Sequence, residues 1–153
     1  METLSRTDKK LLSCLQNDGR AKLADLAELT HLSVSQTQRR VRQLEENGII
    51  EAYCARVNNK ALGYENIVLI EVRLKYQGSE ATKEFHRSVE NTPEILECFR
   101  ISGDADYLLK VIAKNLKDYS RFAQDVLMRM PQIERLRSHI ILEPIKETSA
   151  IPC

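Results

Sequence analysis

Arg39, Arg40 and Arg42 fall within four positions, and no acid lies between Glu28 and Glu45. Arginine holds phosphates and can bond guanine bidentately in the major groove, and glutamine can do the same for adenine. The surrounding residues are of matching types. Ser33, Ser35, Gln36, Thr37, Gln38, Arg39, Arg40 and Arg42 form the candidate set for double-stranded DNA. Nothing else in the chain has the spacing of a familiar reactive centre. His31, His86 and His139 are scattered, and no H-E-x-x-H, G-x-S-x-G or P-loop pattern occurs. Cys14, Cys54, Cys98 and Cys153 include no C-x-x-C pair, so no metal or cofactor is expected.

The elements that must carry the arginines follow from periodicity. Leu11, Leu12 and Leu15 after Thr7-Asp8 predict a first helix that stops near Asn17-Asp18-Gly19. Leu23, Leu26, Ala27 and Thr30 predict a second. After a polar break at His31-Leu32-Ser33, the residues Val34, Thr37, Val41 and Leu44 predict a third, which Asn47-Gly48 ends. Ser33 with Gln36 three residues later is a capping-box signature. Helix, tight turn and helix is the helix-turn-helix layout. At about 100° per residue, Val34, Thr37, Val41 and Leu44 cluster on one side. Ser35, Gln36, Arg39 and Gln43 lie opposite, with Arg40 and Arg42 on the flanks. Ile49–Val57 reads as a strand, and the stretch from Asn58 to Gly63 as a linker.

From there the period changes. Strands are expected over Asn66–Tyr76, Ile95–Ser102, Ala105–Ala113 and Ile133–Leu142, with Gln77-Gly78-Ser79 as a break and Gly103-Asp104 as a tight turn. Ala81, Phe85 and Val89 predict one helix. Tyr119, Phe122, Ala123, Val126, Leu127 and Met130 predict another, followed by Pro131. The order β-α-β-β-α-β is the ferredoxin-like arrangement, so the chain is expected to be α+β. With Val68, Ile70, Val72 and Leu74 facing the helices, the other sheet face carries Ile67 and Leu69 beside Glu71 and Arg73. That mixed face is a candidate surface for a two-fold homodimer. The expected division is 1–50 for the helix-turn-helix, 51–63 for strand and linker, and 64–153 for the ferredoxin-like domain.

Length and charge bound the alternatives. The 153 residues suit one or two domains, and 23 Lys plus Arg against 22 Asp plus Glu leave a net charge of +1. This excludes a binder that works by bulk basicity, but not one whose charge is placed on a single helix. No apolar run approaches the roughly 18 residues of a membrane span. Met1–Lys10 is polar, so a cytoplasmic protein is expected.

Over its whole length the chain resembles the Lrp/AsnC family of bacterial and archaeal transcription regulators, also called feast/famine regulators. The residues that carry the likeness are Leu15-Gln16-Asn17-Asp18-Gly19-Arg20, the run from Arg40 to Ile50, Leu62-Gly63, the hairpin from Ser102 to Lys110, and Glu143-Pro144-Ile145-Lys146 with the tail through Ile151-Pro152. The resemblance implies a winged helix-turn-helix followed by an effector-sensing domain. It also implies dimers that assemble to octamers, and a small-molecule effector, most often an amino acid. Carried over by position, the effector region includes Gly103, Asp104 and Asp106, with Ser138 and Ile140 on the last strand. Physical chemistry supports part of this: a carboxylate pairs with an α-ammonium, and a glycine-containing turn offers N–H groups to an α-carboxylate. Asp104 is also an ordinary turn residue. Asp106 stands just inside a predicted strand, where aspartate is disfavoured, and is the stronger candidate. Two positions depart from the family pattern: Gln43 replaces a usual Lys or Arg, and His139 replaces a common aromatic. An alternative is an enzyme similar to sirohaem decarboxylases, with His86 and His139 as its candidates and Arg100 or Arg137 holding carboxylates. A pure assembly protein is a further alternative, against which the intact basic helix argues.

Overall fold

The computed structural model describes residues 4–76 and 78–153, with Ser79 by its backbone alone. Contacts divide the chain into two units. One is the N-terminal part up to Arg56 together with Lys146–Cys153, and the other is Val57–Ile145.

In the first unit, α1 spans Arg6–Asn17. It begins one residue before the expected Thr7-Asp8, because Ser5 is its N-cap and forms a capping box with Asp8. This satisfies donors that a helix start otherwise leaves open. Asp18 then accepts the Arg20 N–H at 2.9 Å, turning the chain toward α2, Leu23–Thr30. Gly19 lies under the Tyr53 ring, where a Cβ would come within 3.4 Å of the ring edge. α2 ends at His31 in the left-handed conformation (φ 56°), and Leu32-Ser33 completes the turn into α3, Val34–Glu46. Leu11, Leu12, Leu26 and Leu44 meet in the core of the three helices, backed by Leu15, Val41 and Ile50. Burying each leucine is worth about 1.5–3 kcal/mol. Gly48, at φ 67°, reverses the chain so that the Ile49 and Ile50 N–H groups return to the Leu44 carbonyl. The strand expected over Ile49–Val57 is not formed, and residues 51–57 have no regular structure. A strand exists only through a ladder with a neighbour, and among the described residues this segment has none.

The second unit holds β1 (Asn66–Leu74), α4 (Ser79–Glu90), β2 (Ile95–Arg100), β3 (Tyr107–Ala113), α5 (Leu116–Asp125) and β4 (Ile133–Ile140). The sheet order β2-β3-β1-β4, antiparallel throughout, is the ferredoxin-like arrangement expected from the element order. Val68, Ile70, Val72 and Leu74 face the helix layer as their alternation requires, and pack with Leu109, Val111, Phe85, Tyr119 and Leu127. The expected second helix is shorter than its apolar stripe. α5 ends at Asp125, and Leu127–Arg129 form a 3-10 turn in which Leu127 stays buried. The apolar stripe records burial rather than helix length. Within the expected break after β1, Gln77 lies outside the described residues. The expected tight turn at Gly103-Asp104 is a wider loop, since β2 ends at Arg100 and β3 begins at Tyr107. The Ile101 N–H closes that loop on the Asp106 carbonyl at 3.0 Å.

Candidate nucleic-acid interface and effector region

α3 presents its polar face as its angular pattern requires. Ser33, Ser35, Gln36, Gln38, Arg39, Arg42 and Gln43 are exposed. The start of the helix is locked: the Ser33 side chain accepts the Gln36 N–H at 3.3 Å. In return, the Gln36 Oε1 accepts from the Ser33 N–H at 3.1 Å and from its hydroxyl at 3.0 Å. Ser35 lies 3.1 Å from the same hydroxyl. The first turn of α3 therefore offers hydroxyl and amide groups, followed by Arg39 and Arg42, with no acid in its first turn. Loss of this box has an expected cost. Gln36→Ala, which leaves the Ser33 cap on the backbone N–H, should lower stability by about 0.5–1 kcal/mol, read as a fall in melting temperature, and should change the preferred site in a binding-site selection.

Two members of the candidate set are placed differently. Thr37 is 0% exposed and lies among the packed side chains of the helices, so it is no groove contact. Its methyl group takes an apolar position on the inward stripe, as the angular reading of α3 already requires. Arg40 is held by Asp8 at 2.8 Å, and its other contact is the Ser5 hydroxyl at 3.4 Å. It thus ties α3 to the capped start of α1. Asp8, the partner that sequence reading missed, sits at S-x-x-D spacing from Ser5. That spacing marks a cap but not a contact 32 residues away. Burial pushes the Asp8 carboxyl up, and the hydrogen bonds from Ser5 and Arg40 more than offset this, leaving it below the usual 3.8. Behind α3, Tyr53 donates its hydroxyl to Glu45 at 2.9 Å. Partial burial and that carboxylate push the phenol up to about 12.

In the second unit, Gly103 and Asp104 stand exposed on the β2–β3 loop, with Gly103 at φ 126°. Asp106 is built into the sheet: its N–H donates to the Val72 carbonyl at 2.9 Å, and its Oδ2 accepts the Leu74 N–H at 2.8 Å. Ser138 shares a hydrogen bond with the Tyr119 hydroxyl. Ser138 and Ile140 pair with Ile70 and Val68, so they share the helix-side face of the edge strand β4, where Ile140 is 43% exposed. The loop and the β4 residues are not brought together in one chain. Asp106 meets β1 at Val72 and Leu74 from the β3 side, and Ser138 meets it at Ile70 from the β4 side, two to four residues or about 7–13 Å along the strand.

The two histidines of the enzyme alternative are separated too. His86 contacts the Tyr107 hydroxyl at 2.9 Å on the helix side, and His139 contacts Glu71 at 3.1 Å on the open face. Arg137 is 3.6 Å from the same Glu71. Among the described residues, no group of three or more His, Cys, Asp or Glu side chains could hold a metal. None of the described helices is long and apolar enough to cross a membrane.

Comparison with known proteins agrees with this geometry. Residues 4–51 match the family model described as winged helix-turn-helix DNA-binding, and residues 67–151 match the Lrp/AsnC ligand binding domain. The chain is 36% identical over 152 residues to the Bkd operon transcriptional regulator of Pseudomonas aeruginosa, covering 99% of both. It is 32% identical to the leucine-responsive regulatory protein of Escherichia coli, covering 97% of this chain and 90% of that one. A transcriptional regulator from Neisseria meningitidis, solved as a complex with L-Met, superposes with a TM-score of 0.94 at 33% identity, over 98% of this chain and 97% of that one.

Proposed function

Because the chain belongs to the Lrp/AsnC family of ligand-modulated, DNA-binding transcription regulators, we propose that its effector is an amino acid and that it acts in the cytoplasm as a homodimer assembling to an octamer. The observation that carries the DNA-binding reading is the α3 face, on which Ser35, Gln36, Gln38, Arg39 and Arg42 are exposed together behind a capped, acid-free first turn. Of the candidate DNA contacts, Ser33, Ser35, Gln36, Gln38, Arg39 and Arg42 are exposed, Arg40 positions the helix through one guanidinium nitrogen and keeps its others for a phosphate, and Thr37 serves packing. The enzyme alternative is not favoured, since its histidines stand on opposite faces of the sheet.

The effector reading is supported by two relatives, one named as leucine-responsive and one solved with bound L-Met. Gly103 and Asp104 offer a turn and an exposed carboxylate of matching chemistry. Asp106 has a second duty, holding the end of β1 against the start of β3. Since Ser138 and Ile140 lie away from that loop, a site that uses both groups would take them from different subunits. Dimerisation is supported by the unpaired segment 51–57, with Tyr53 and Val57 exposed, and by the open sheet face of Ile67, Leu69, Leu108 and Phe99. A two-fold dimer would place two recognition helices about 34 Å apart, one turn of duplex.

The experiment is fluorescence anisotropy with genomic fragments in a salt series, followed by a thermal-shift screen of the twenty amino acids. Site-preferring, salt-sensitive binding is expected, along with a melting-temperature shift by at least one amino acid. Binding that is absent or indifferent to salt would overturn the reading. For the dimer, Leu69→Asp on the open sheet face should give a smaller species in analytical ultracentrifugation, with weakened DNA binding. An unchanged sedimentation coefficient would remove that face as the interface.

A further inference from the structure

The C-terminal tail does not end on the sheet it leaves. After β4 closes at Ile140, residues 146–153 join the contacts of the helix-turn-helix unit. The attachment is specific. The Gln16 carboxamide, at the end of α1, pairs with the backbone of Ile151 in both directions: its Nε2 donates to the Ile151 carbonyl at 3.0 Å, and its Oε1 accepts the Ile151 N–H at 2.6 Å. The same Nε2 lies 3.2 Å from the Cys153 Sγ. Further along, Arg56 donates to the Glu147 carbonyl at 3.2 Å and faces its carboxylate at 3.5 Å. A side-chain amide bonded to both groups of one residue's backbone imitates a strand neighbour and accepts any residue type at that position.

The hold is polar and open to water. Ile151 is 72% exposed and every residue from 146 to 153 is exposed, so almost no apolar burial secures the tail. Exposed hydrogen bonds and a surface ion pair contribute little each, so the tail is a detachable strap rather than a third layer of the core.

We propose that the end of α1, through Gln16 with Arg56, is a docking surface for this chain's own tail. The docked strap gives the last strand of the sensing sheet a second route to the DNA-binding unit, closed at its far end by hydrogen bonds and one ion pair. The first route is the segment after Arg56, where the two units divide. β4 carries Ser138 and Ile140, and only five residues, 141–145, separate it from the strap. A change in β4 is then passed to α1, and α1 is tied to the recognition helix by the Asp8–Arg40 pair. This deepens the regulator reading above and rests on it.

The test compares the full chain, Gln16→Ala and a chain ending at Ile145. Hydrogen exchange by mass spectrometry reads the tail and α1. Anisotropy on sheared genomic DNA, with and without millimolar L-leucine or L-methionine, reads the consequence. Gln16→Ala should speed exchange of the tail amides about fivefold and that of the last turn of α1 to a smaller extent. The truncated chain should bind DNA at least threefold more weakly and lose any response to amino acid that the full chain shows. Equal exchange in wild type and Gln16→Ala would overturn the docking. A truncated chain with wild-type DNA affinity and response would overturn the transmission. If the wild type itself binds no DNA, the regulator reading fails, while the exchange comparison still decides whether the strap is docked.

Discussion

An Arg39→Ala, Arg42→Ala double variant is expected to lose at least about a hundredfold in DNA affinity at roughly 0.15 M salt, on all sequences, with its fold intact. Both side chains are exposed on α3, and neither takes part in an ion pair within the described residues. Their removal therefore costs the folded state little. On DNA each replaces condensed counterions, so each phosphate contact contributes about 0.9 to the slope of log affinity against log salt. Two contacts per subunit, doubled in a dimer, should flatten that slope by about 3–4. Arg121→Ala on α5, an exposed cation 3.9 Å from Asp118, is the control and should change nothing. A double variant that keeps the wild-type salt slope would show that α3 is not the DNA-facing helix.

The second large effect concerns stability. Asp8→Ala removes both the reciprocal half of the α1 capping box and the partner of Arg40 at 2.8 Å. A cap is worth about 1 kcal/mol. A hydrogen bond to a charged group is worth about 1.5–3 kcal/mol, discounted here because the Arg40 side chain is 37% exposed. A loss of about 1.5–3 kcal/mol is expected, or on the order of 10 °C in the melting temperature of so small a unit. Arg40→Ala should share most of that loss, whereas a simple phosphate contact would leave the melting temperature alone. The pH dependence has a definite sign. The folded carboxyl lies below its ordinary 3.8, so its contribution is complete above that value and is lost as pH falls through the lowered one. Asp8→Asn should therefore flatten the acid limb of the stability curve below about pH 4, measured by circular dichroism.

These two cases mark what can be read along a chain. The start of α3 was legible because Ser33 and Gln36 act on each other locally, and β1 because Val68 to Leu74 alternate between a packed face and an open one. Both signals are complete within a dozen residues. The strand over Ile49–Val57 misled because β-branched and aromatic residues mark a segment willing to pair, while pairing itself needs a neighbour. The role of Arg40 was hidden for the opposite reason. Its partner lies 32 residues away and belongs to another helix's cap, so no periodicity connects them. In the effector region, Asp106 stands where strands disfavour aspartate. That position is explained by the Leu74 N–H it holds, whatever else it binds.

The capped start of α3 also constrains how the protein can spell its operator. Gln36 directs its carbonyl oxygen to Ser33, through both the N–H and the hydroxyl, which occupies both lone pairs. Bidentate reading of adenine needs that oxygen to accept from the base. In this arrangement Gln36 can only give protons. Facing a groove in this arrangement, Gln36 would be a donor-only letter, matched to the N7 and O6 of guanine or the O4 of thymine, and adenine would be read only at the expense of the cap.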